Sequence, residues 1–163
     1  NPSLVGSEMC IRDSYNVIAD KGSSYVLTHS RGNSKTMDSL AIYSNVVQDV
    51  KNELSNQIDL ALSNGIKEEQ IIIDPGIGFA KNVDQNLTLL RNLEEFVSMN
   101  YPVLIGASRK RFIGSVINES DPTKRIFGTA AVAARCVTAG VDILRVHDIK
   151  QISQVVIMTK SIN

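Results

Sequence analysis

Short apolar runs alternate with longer amphipathic segments along this chain of 163 residues. Four runs have the length of buried strands, although periodicity alone does not separate so short a run from buried helix. The runs are Tyr25–Thr28, Ile71–Asp74, Val103–Gly106 and Asp142–Val146. Between and after them, apolar residues recur at intervals of three and four, the spacing of one buried helix face. This alternation predicts parallel strands joined by right-handed helical crossovers.

The predicted helices end at glycine or at polar loops. A helix at Tyr15–Lys21 stops at Gly22, and the longest helix runs from about Asp38 to Asn64 and stops at Gly65. The buried face of the longest helix is predicted to contain Leu40, Tyr43, Val46, Val47, Val50, Leu54, Ile58, Ala61 and Leu62. Further helices are predicted over Asp84–Met99, Phe112–Ile117 and Gly128–Ala139, and a last one is marked by Ile149, Ile152, Val155 and Val156.

Residues 1–14 fit none of these patterns. They show no helical or strand period and lack the apolar core of a signal peptide. They are typical of translated adapter or vector sequence, and the alternative is an authentic disordered N-terminus. We therefore expect residues 15–163 to form the folded part.

Composition argues against several classes of protein. The 17 Lys and Arg residues balance the 17 Asp and Glu residues, so net charge provides no general attraction to nucleic acid or membrane. No apolar run approaches the roughly 18 residues of a membrane span. The two cysteines, Cys10 and Cys136, make no disulfide framework, which favours a reducing compartment. We expect no nucleic-acid partner, no membrane association, and a cytoplasmic location, or an organelle in a eukaryote.

Reactive residues follow the second predicted strand. Asp74 precedes Pro-Gly, which is ordinary turn chemistry, but a carboxylate at a strand end also suits the N–H groups of a guanidine-like heterocycle. Gly76 and Gly78 allow a ligand to approach the backbone, and Phe79 offers either an apolar wall or simple packing. Because the ends of parallel strands share one rim of a sheet or barrel, we expect the site there.

The third strand is followed by the basic run Ser108-Arg109-Lys110-Arg111. Alone, such a run is most often a solvated surface. This run opens a helix, however, where backbone N–H groups favour anions. A lysine at that place can donate to a ligand carbonyl or ring nitrogen.

The last strand ends in Arg145-Val146-His147-Asp148. Arg145 and His147 face the same side because strand residues alternate, and together they suit a phosphate or diphosphate. The alternative for His147 is a partly buried ring bonded to a neighbour, and Asp148 is expected to cap the next helix. The first strand carries His29, Ser30 and Arg31 at the same rim position.

Five motifs resemble those of the dihydropteroate synthase family. In chain order they are LTHSRGNSKTM at Leu27–Met37, DPGIGFAKN from Asp74, GASRKRFIG from Gly106, GTAA at Gly128–Ala131, and LRVHD at Leu144–Asp148. Each motif alone is weak or moderate, but their order and approximate spacing match the family. The similarity covers residues 15–163, and LTHSRGNSKTM matches the segment after the family's fifth strand.

The resemblance implies a fold and a reaction. The fold is a TIM (β/α)8 barrel, which needs eight units and about 250 residues, so we expect this chain to hold only the C-terminal half, about four βα units. The reaction joins 6-hydroxymethyl-7,8-dihydropterin diphosphate to 4-aminobenzoate in folate biosynthesis, forming 7,8-dihydropteroate and diphosphate. Diphosphate leaves first and the aniline nitrogen then attacks the pterin cation, without an enzyme nucleophile.

The resemblance also implies roles for single residues. Asp74 holds the amino-pyrimidine edge of the pterin, which Lys110 also contacts. Arg145 stacks on the pterin and meets the diphosphate, and His147 binds the diphosphate. The expected catalytic residues are Lys110, Arg145 and His147. The expected substrate-binding residues are Asp74, Phe79, Gly106, Ser108, Arg109, Lys110, Arg145 and His147, with Phe79, Ser108 and Arg109 near the aminobenzoate.

The chain departs from the family pattern in two ways. Ala80 stands where the family usually has glycine, which restricts the loop if φ must be positive. Strands one to four of the family are missing, and with them its metal-binding asparagine, so we expect Mg²⁺ to be bound outside this chain and no metal ligand within it. We expect the chain alone to be inactive, and the full-length enzyme to be a homodimer in which the Gly128–Ala139 helix is a candidate participant.

Three other interpretations remain open. A pterin-binding corrinoid methyltransferase is the alternative enzyme, although the SRK and RVH motifs argue against it. A non-catalytic half-barrel remnant is the alternative from another class. Nucleic-acid binding rests only on Arg109–Arg111, and the zero net charge weakens it.

Overall fold

The computed structural model describes residue 15, residues 17–33 and residues 35–163. The predictions for residues 1–14, including Cys10, lie outside this part of the chain. Helical residues 15 and 17–21 form α1. The later elements are β1 (Tyr25–Thr28), α2 (Val46–Ser63), β2 (Ile71–Asp74), α3 (Val83–Arg91), α4 (Glu94–Val97), β3 (Leu104–Ile105), α5 (Arg111–Ile117), α6 (Ile126–Thr138), β4 (Ile143–Leu144) and α7 (Ile149–Ile162), with short 3-10 helices at Glu68–Gln70 and Pro122–Lys124.

The strands are parallel neighbours in chain order, as the alternation of strands and helices predicts. Strand β1 pairs with β2 along its whole length, and β3 pairs with β4. A parallel bridge between Ile73 and Val103 connects the two pairs. In the part of the chain that the structure describes, β1 and β4 each have a strand on one side only, so no closed sheet is present there.

The two faces of the first strand pair are buried to different degrees. Leu27, Ile71 and Ile73 are at most 3% exposed and belong to the core, which also contains Leu54 of α2 and Phe96 of α4. Val26 and Ile72, which are paired on the opposite face, are only partly buried. Strands that are buried on both faces are continuous apolar runs in sequence, as these two strands are. The face that carries Val26 and Ile72 therefore has the composition of a surface that another layer covers.

The longest helix begins later than predicted, at Val46. Asn45 sets this start because its side chain accepts a hydrogen bond from the Gln48 amide at 3.2 Å. The preceding residues form turns and irregular backbone, so Leu40 is 41% exposed and the prediction that it lies on the buried face is wrong. Leu62, in the last turn of α2, is 37% exposed, so its predicted place on the buried face is wrong as well.

The other boundaries differ less from the predictions. The helix predicted over Asp84–Met99 is split into α3 and α4, because Asn92 leaves helical geometry and its side chain binds the Thr88 carbonyl at 2.8 Å. The two last strands are shorter than predicted, since only two residues of each form ladder pairs. Leu93 and Phe96 are fully buried as predicted.

Candidate active site

Asp74 is a buried carboxylate at the end of β2. It is 1% exposed, and its Oδ1 accepts a hydrogen bond from the Gly76 amide at 2.8 Å. Its Oδ2 lies 3.4 Å from Thr28 Oγ1 and 3.7 Å from Arg145 Nη2. Burial raises the pKa of Asp74, while the Gly76 amide, Arg145 and Lys110 oppose that rise. A carboxylate with these partners can accept further N–H donors from a ligand.

The loop after Asp74 passes very close to the end of β1. Gly76 and Gly78 have φ of 72° and 80°, and a Cβ on Gly76 would lie 1.8 Å from the His29 carbonyl oxygen. Glycine is therefore required at Gly76 for space as well as for backbone conformation. Ala80 also has positive φ, at 48°, so the departure from the family pattern falls on a position that strains alanine.

Lys110 crosses from the basic run to this loop. Its Nζ lies 4.0 Å from the centroid of the Phe79 ring and donates to the Ile77 carbonyl. A Cβ on Gly78 would lie 2.6 Å from Lys110 Cδ, so glycine at this position leaves room for the lysine side chain. Burial lowers the pKa of Lys110 to about 8, with Asp74 opposing and Arg145 adding to the decrease. This ammonium is therefore held over an aromatic ring beside a carboxylate.

Arg145 lies against the backbone of Gly106. A Cβ on Gly106 would be 2.8 Å from Arg145 Nη2 and 3.0 Å from its Nε, so any larger residue would displace the guanidinium. The side chain of Arg145 is 58% exposed, although it reaches the buried Asp74. A planar cation placed in this way can stack on a flat ligand and bind an anion at the same time.

Ser108 and His147 form the second part of the rim. The Ser108 hydroxyl accepts a hydrogen bond from the His147 amide at 3.2 Å and lies 3.0 Å from His147 Nδ1. Ser108 is 7% exposed, whereas the His147 ring is exposed to solvent. The serine thus sets the orientation of an accessible imidazole.

Arg109 is bound by Asp148 rather than free. Its Nε and Nη2 lie 3.0 Å and 2.5 Å from the two carboxylate oxygens, and this pairing lowers the pKa of Asp148. Asp148 occupies the N-cap position of α7, but its side chain makes no cap hydrogen bond. The predicted capping by Asp148 is wrong because the bidentate guanidinium is the stronger partner for a carboxylate.

The first-strand residues are placed differently from the prediction. His29 is fully buried and its Nε2 lies 2.9 Å from Glu53 Oε2, so it does not face an open rim. Arg31 binds the same carboxylate, and Ser30 is exposed. Asp74, Lys110 and Arg145 form one electrostatic group, because both cations lower the pKa of Asp74.

Two buried polar residues of this region were not predicted from the sequence. Asn86 is 1% exposed, its Oδ1 accepts from the Gly78 amide at 2.6 Å, and its Nδ2 donates to the Asn82 carbonyl at 2.7 Å. Its spacing of three from Leu89, on the inward face of α3, was the available signal. The other is Lys81, which is 6% exposed.

A cavity of about 420 Å³ adjoins the loop and the basic run. Its lining includes Gly78, Phe79, Asn82, Lys110, Arg111 and Ser115. Lys110 thus belongs to the Asp74 group and also lines this cavity, together with the Phe79 ring beneath its ammonium. An aromatic wall, an ammonium and polar groups of this kind suit a small planar anion.

Other kinds of site find little support. Across residues 17–33 and 35–163, no three His, Cys, Asp or Glu side chains are grouped so as to hold a metal ion. The basic run is not a continuous cationic surface, because Arg109 binds Asp148, Lys110 covers Phe79, and Arg111 lies 3.3 Å from Asp38. No helix in the described part of the chain has the length and apolar character needed to span a membrane.

Comparison with known proteins identifies the family of this chain. The family model described as pterin binding enzyme matches residues 8–147. The dihydropteroate synthase of Synechocystis is 44% identical over 139 residues, which is 85% of this chain and 48% of that protein. Crystal structures of the Thermus thermophilus enzyme in complex with 4-aminobenzoate and with 6HMPPP are each 37% identical to this chain, with a TM-score of 0.86. Each match covers 91% of this chain, and 60% and 59% of the respective crystal chain.

The chain belongs to the family of pterin-binding enzymes. Its described residues form an α/β structure that is similar to dihydropteroate synthases of known structure. The chain spans about half the length of the curated relatives that it matches, 48% for the Synechocystis protein and 44% for the Haemophilus influenzae protein.

Proposed function

We propose that this chain is the C-terminal part of a dihydropteroate synthase. The complete enzyme would join 6-hydroxymethyl-7,8-dihydropterin diphosphate to 4-aminobenzoate and release diphosphate. The observation that carries this proposal is the grouping of one buried carboxylate, Asp74, with two cations, Lys110 and Arg145, at neighbouring strand ends. Relatives that are 43% to 46% identical to this chain are named dihydropteroate synthases.

The electrostatics of this group suit the pterin diphosphate. The Asp74 carboxylate accepts hydrogen bonds from the amino-pyrimidine edge, and the Arg145 guanidinium lies against the ring. Arg145 and His147 meet the diphosphate, whose negative charge grows as the carbon–oxygen bond to the pterin methylene breaks. Lys110 donates to a pterin carbonyl or ring nitrogen.

The second substrate fits the adjoining cavity. Phe79 and the stem of Lys110 supply apolar contact for the ring of 4-aminobenzoate. Ser108 and Arg109 are outside the lining of this cavity, so their expected place near the aminobenzoate stays a prediction. The aniline nitrogen attacks the methylene carbon after diphosphate has left, and its proton passes to solvent or to the diphosphate. Since the pterin cation is the electrophile, the protein needs no nucleophile of its own.

Mg²⁺ is not assigned to any residue of this chain. Asp74 is already bonded to the Gly76 amide and faces two cations, which is an unfavourable environment for a divalent metal. Binding of Mg²⁺ by residues outside this chain stays a prediction.

The order of the strands and the burial of the two sheet faces support the proposal of a barrel. Strands β1 to β4 run in parallel in chain order, as consecutive units of a barrel do. The partly buried face of Val26 and Ile72 ends in Asp74, which is the arrangement of an inner barrel face with its site at the top. We propose that four further βα units complete the barrel and cover this face.

A homodimer through the late helices is part of the same proposal. Phe127 of α6 is 84% exposed, and Ile157, Met158 and Ile162 of α7 are 60% to 69% exposed. Exposed apolar side chains on two adjacent helices are a common feature of subunit interfaces. Sedimentation of the full-length protein as a monomer would contradict this part. A cytoplasmic location also stays a prediction.

The experiment that tests the function uses the full-length protein. Purified protein is incubated with pterin diphosphate and labelled 4-aminobenzoate, and labelled dihydropteroate is separated by chromatography. We expect product from the wild type, a decrease of at least 100-fold in kcat/KM, about 3 kcal/mol, for Asp74→Asn, and wild-type activity for the exposed control Asp59→Asn. Absence of product from the wild type would reject the proposal and favour a corrinoid methyltransferase or a non-catalytic remnant.

A further inference from the structure

A cluster of buried polar side chains lies directly beneath the loop that follows Asp74. Lys81 and His29 are 6% and 0% exposed, and Lys81 Nζ lies 2.9 Å from His29 Nδ1. His29 Nε2 in turn lies 2.9 Å from Glu53 Oε2, whose carboxylate also binds Arg31. None of these side chains has a part in the reaction proposed above.

Lys81 is the member of the cluster that touches the loop. Its Nζ donates to the Gly76 carbonyl at 3.1 Å and to the Phe79 carbonyl at 2.9 Å. These two carbonyls bracket the turn that follows Asp74. An ammonium has three N–H donors, and Gly76, Phe79 and His29 supply three acceptors for them.

The hydrogen bonds define the state of His29. Because Lys81 donates to Nδ1, the imidazole carries its proton on Nε2 and donates it to Glu53. Burial and the neighbouring Lys81 lower the pKa of His29 to about 4, in agreement with a neutral ring. Burial also lowers the pKa of Lys81 to about 7, while Asp74 and Glu53 favour its charged form.

The loop needs such a support because two of its residues are glycines and a third is strained. Gly76, Gly78 and Ala80 all have positive φ, which glycine adopts freely but which costs alanine about 1–2 kcal/mol. The loop has few internal bonds, of which the Phe79 amide to the Gly76 carbonyl at 3.0 Å is one. A donor from below that binds two of its carbonyls therefore selects one conformation among several.

We propose that Lys81 is a positioning residue for the pterin site. It acts through the loop, because the loop backbone places both the Asp74 carboxylate, through the Gly76 amide, and the Phe79 ring that Lys110 covers. Lys81 also lines part of the cavity, but its ammonium is bound to the two loop carbonyls and to His29. Its role rests on the proposed function only in that the ligand is a pterin. Removal of Lys81 thus loosens the loop and weakens pterin binding without removing Asp74, Lys110 or Arg145.

The test compares three single variants of the full-length protein. Lys81→Met keeps the length of the side chain but removes all three donors, and Lys81→Gln keeps a shorter polar group with less change in polarity. Lys160→Met is the matched control, because Lys160 is exposed in the last turn of α7. If Lys81→Met does not unfold cooperatively, the wild type is compared with Lys81→Gln alone.

Two measurements are made on each variant. Hydrogen exchange of the Gly76, Gly78 and Phe79 amides reports the loop, and calorimetric titration with 6-hydroxymethylpterin reports the site. We expect at least tenfold faster exchange of these amides and at least tenfold weaker pterin binding in both Lys81 variants, with wild-type values for Lys160→Met. We also expect far-UV circular dichroism and exchange of the α3 amides to be unchanged.

The outcomes separate this proposal from the proposed function. Wild-type exchange and wild-type pterin affinity in the Lys81 variants would overturn the positioning role, and so would exchange that rises equally throughout the protein. If the wild type itself does not bind a pterin, the proposed function fails. In that case the exchange of the loop amides still tests whether Lys81 holds the loop.

Discussion

Gly76→Ala is the substitution for which the structure predicts the largest effect from the smallest change. One methyl group is added, at a position where φ is 72°. The new Cβ would lie 1.8 Å from the His29 carbonyl oxygen and 2.9 Å from the carbonyl carbon. Both atoms belong to backbone at the end of β1, so no side-chain rotation relieves the contact.

The cost has two parts. Positive φ destabilises alanine by about 1–2 kcal/mol. Carbon–oxygen contacts normally begin at about 3.3 Å, so the two loops must separate by about 1.5 Å. That movement breaks the hydrogen bond from the His29 amide to the Asp74 carbonyl, now 2.8 Å, and the bond from Lys81 to the Gly76 carbonyl. Leaving two buried groups unpaired adds about 1–3 kcal/mol each, for a total of about 3–8 kcal/mol.

The control is Gly140→Ala at the end of α6. Gly140 has φ of 84°, but a Cβ there would meet only Val97 Cγ1, at 3.8 Å. Urea unfolding of the full-length protein should therefore give a loss of about 1–2 kcal/mol for the control, the conformational part alone. If the two substitutions lower the free energy of unfolding by amounts within about 1 kcal/mol of each other, the steric argument is refuted.

Three further predictions follow from single contacts. Burial lowers the pKa of Lys110 to about 8 from an ordinary 10.5, so pterin affinity should fall as pH rises through 8, and affinity that is constant from about pH 7 to 9.5 would contradict this. The contribution of Lys110 to the free energy of unfolding should instead grow between about pH 8 and 10.5, because the unfolded chain binds more protons in that range. Ser108→Ala removes the partner of His147 Nδ1 and should weaken diphosphate binding by about tenfold, about 1.4 kcal/mol, as seen by calorimetry. The control is Ser153→Ala, at an exposed position of α7, which should leave this affinity unchanged. Leu54→Ala should lower the free energy of unfolding in urea by about 2–5 kcal/mol, because the Leu54 side chain is 0% exposed. Leu60→Ala on the same helix should lower it by less than about 1 kcal/mol, because Leu60 is 46% exposed, and equal losses would contradict the assigned burial.

The elements were predictable where apolar spacing is regular. The strands at Ile71–Asp74 and Tyr25–Thr28 agree with their predicted positions, because each is an apolar run that ends at a polar group. The start of α2 was not predictable from the same signal, since Leu40 and Tyr43 continue the helical spacing into a segment that is not helical. There, turns with side-chain hydrogen bonds at Asn33 and Thr36 compete with the helix.

The site was predictable only in part, and for a physical reason. Strand order places residues at a shared rim, which is why Asp74, Lys110 and Arg145 were expected near one another. Pairings across 39 residues, such as Arg109 with Asp148, depend on loop shapes that periodicity does not describe. The burial of Lys81 is of the same kind, because a lysine after a glycine-rich loop reads as solvated until the loop is seen to fold over it.

The order of the strands bears on how the protein folds. Each paired strand lies a few tens of residues from its partner, 46 between Thr28 and Asp74 and 39 between Val103 and Asp142, so every pairing closes a loop of moderate length. Loop-closure entropy grows only slowly with length, and a chain of such units can add one strand at a time. Asp74 and its neighbours would then be assembled stepwise during synthesis, each new unit adding one rim loop to those already in place.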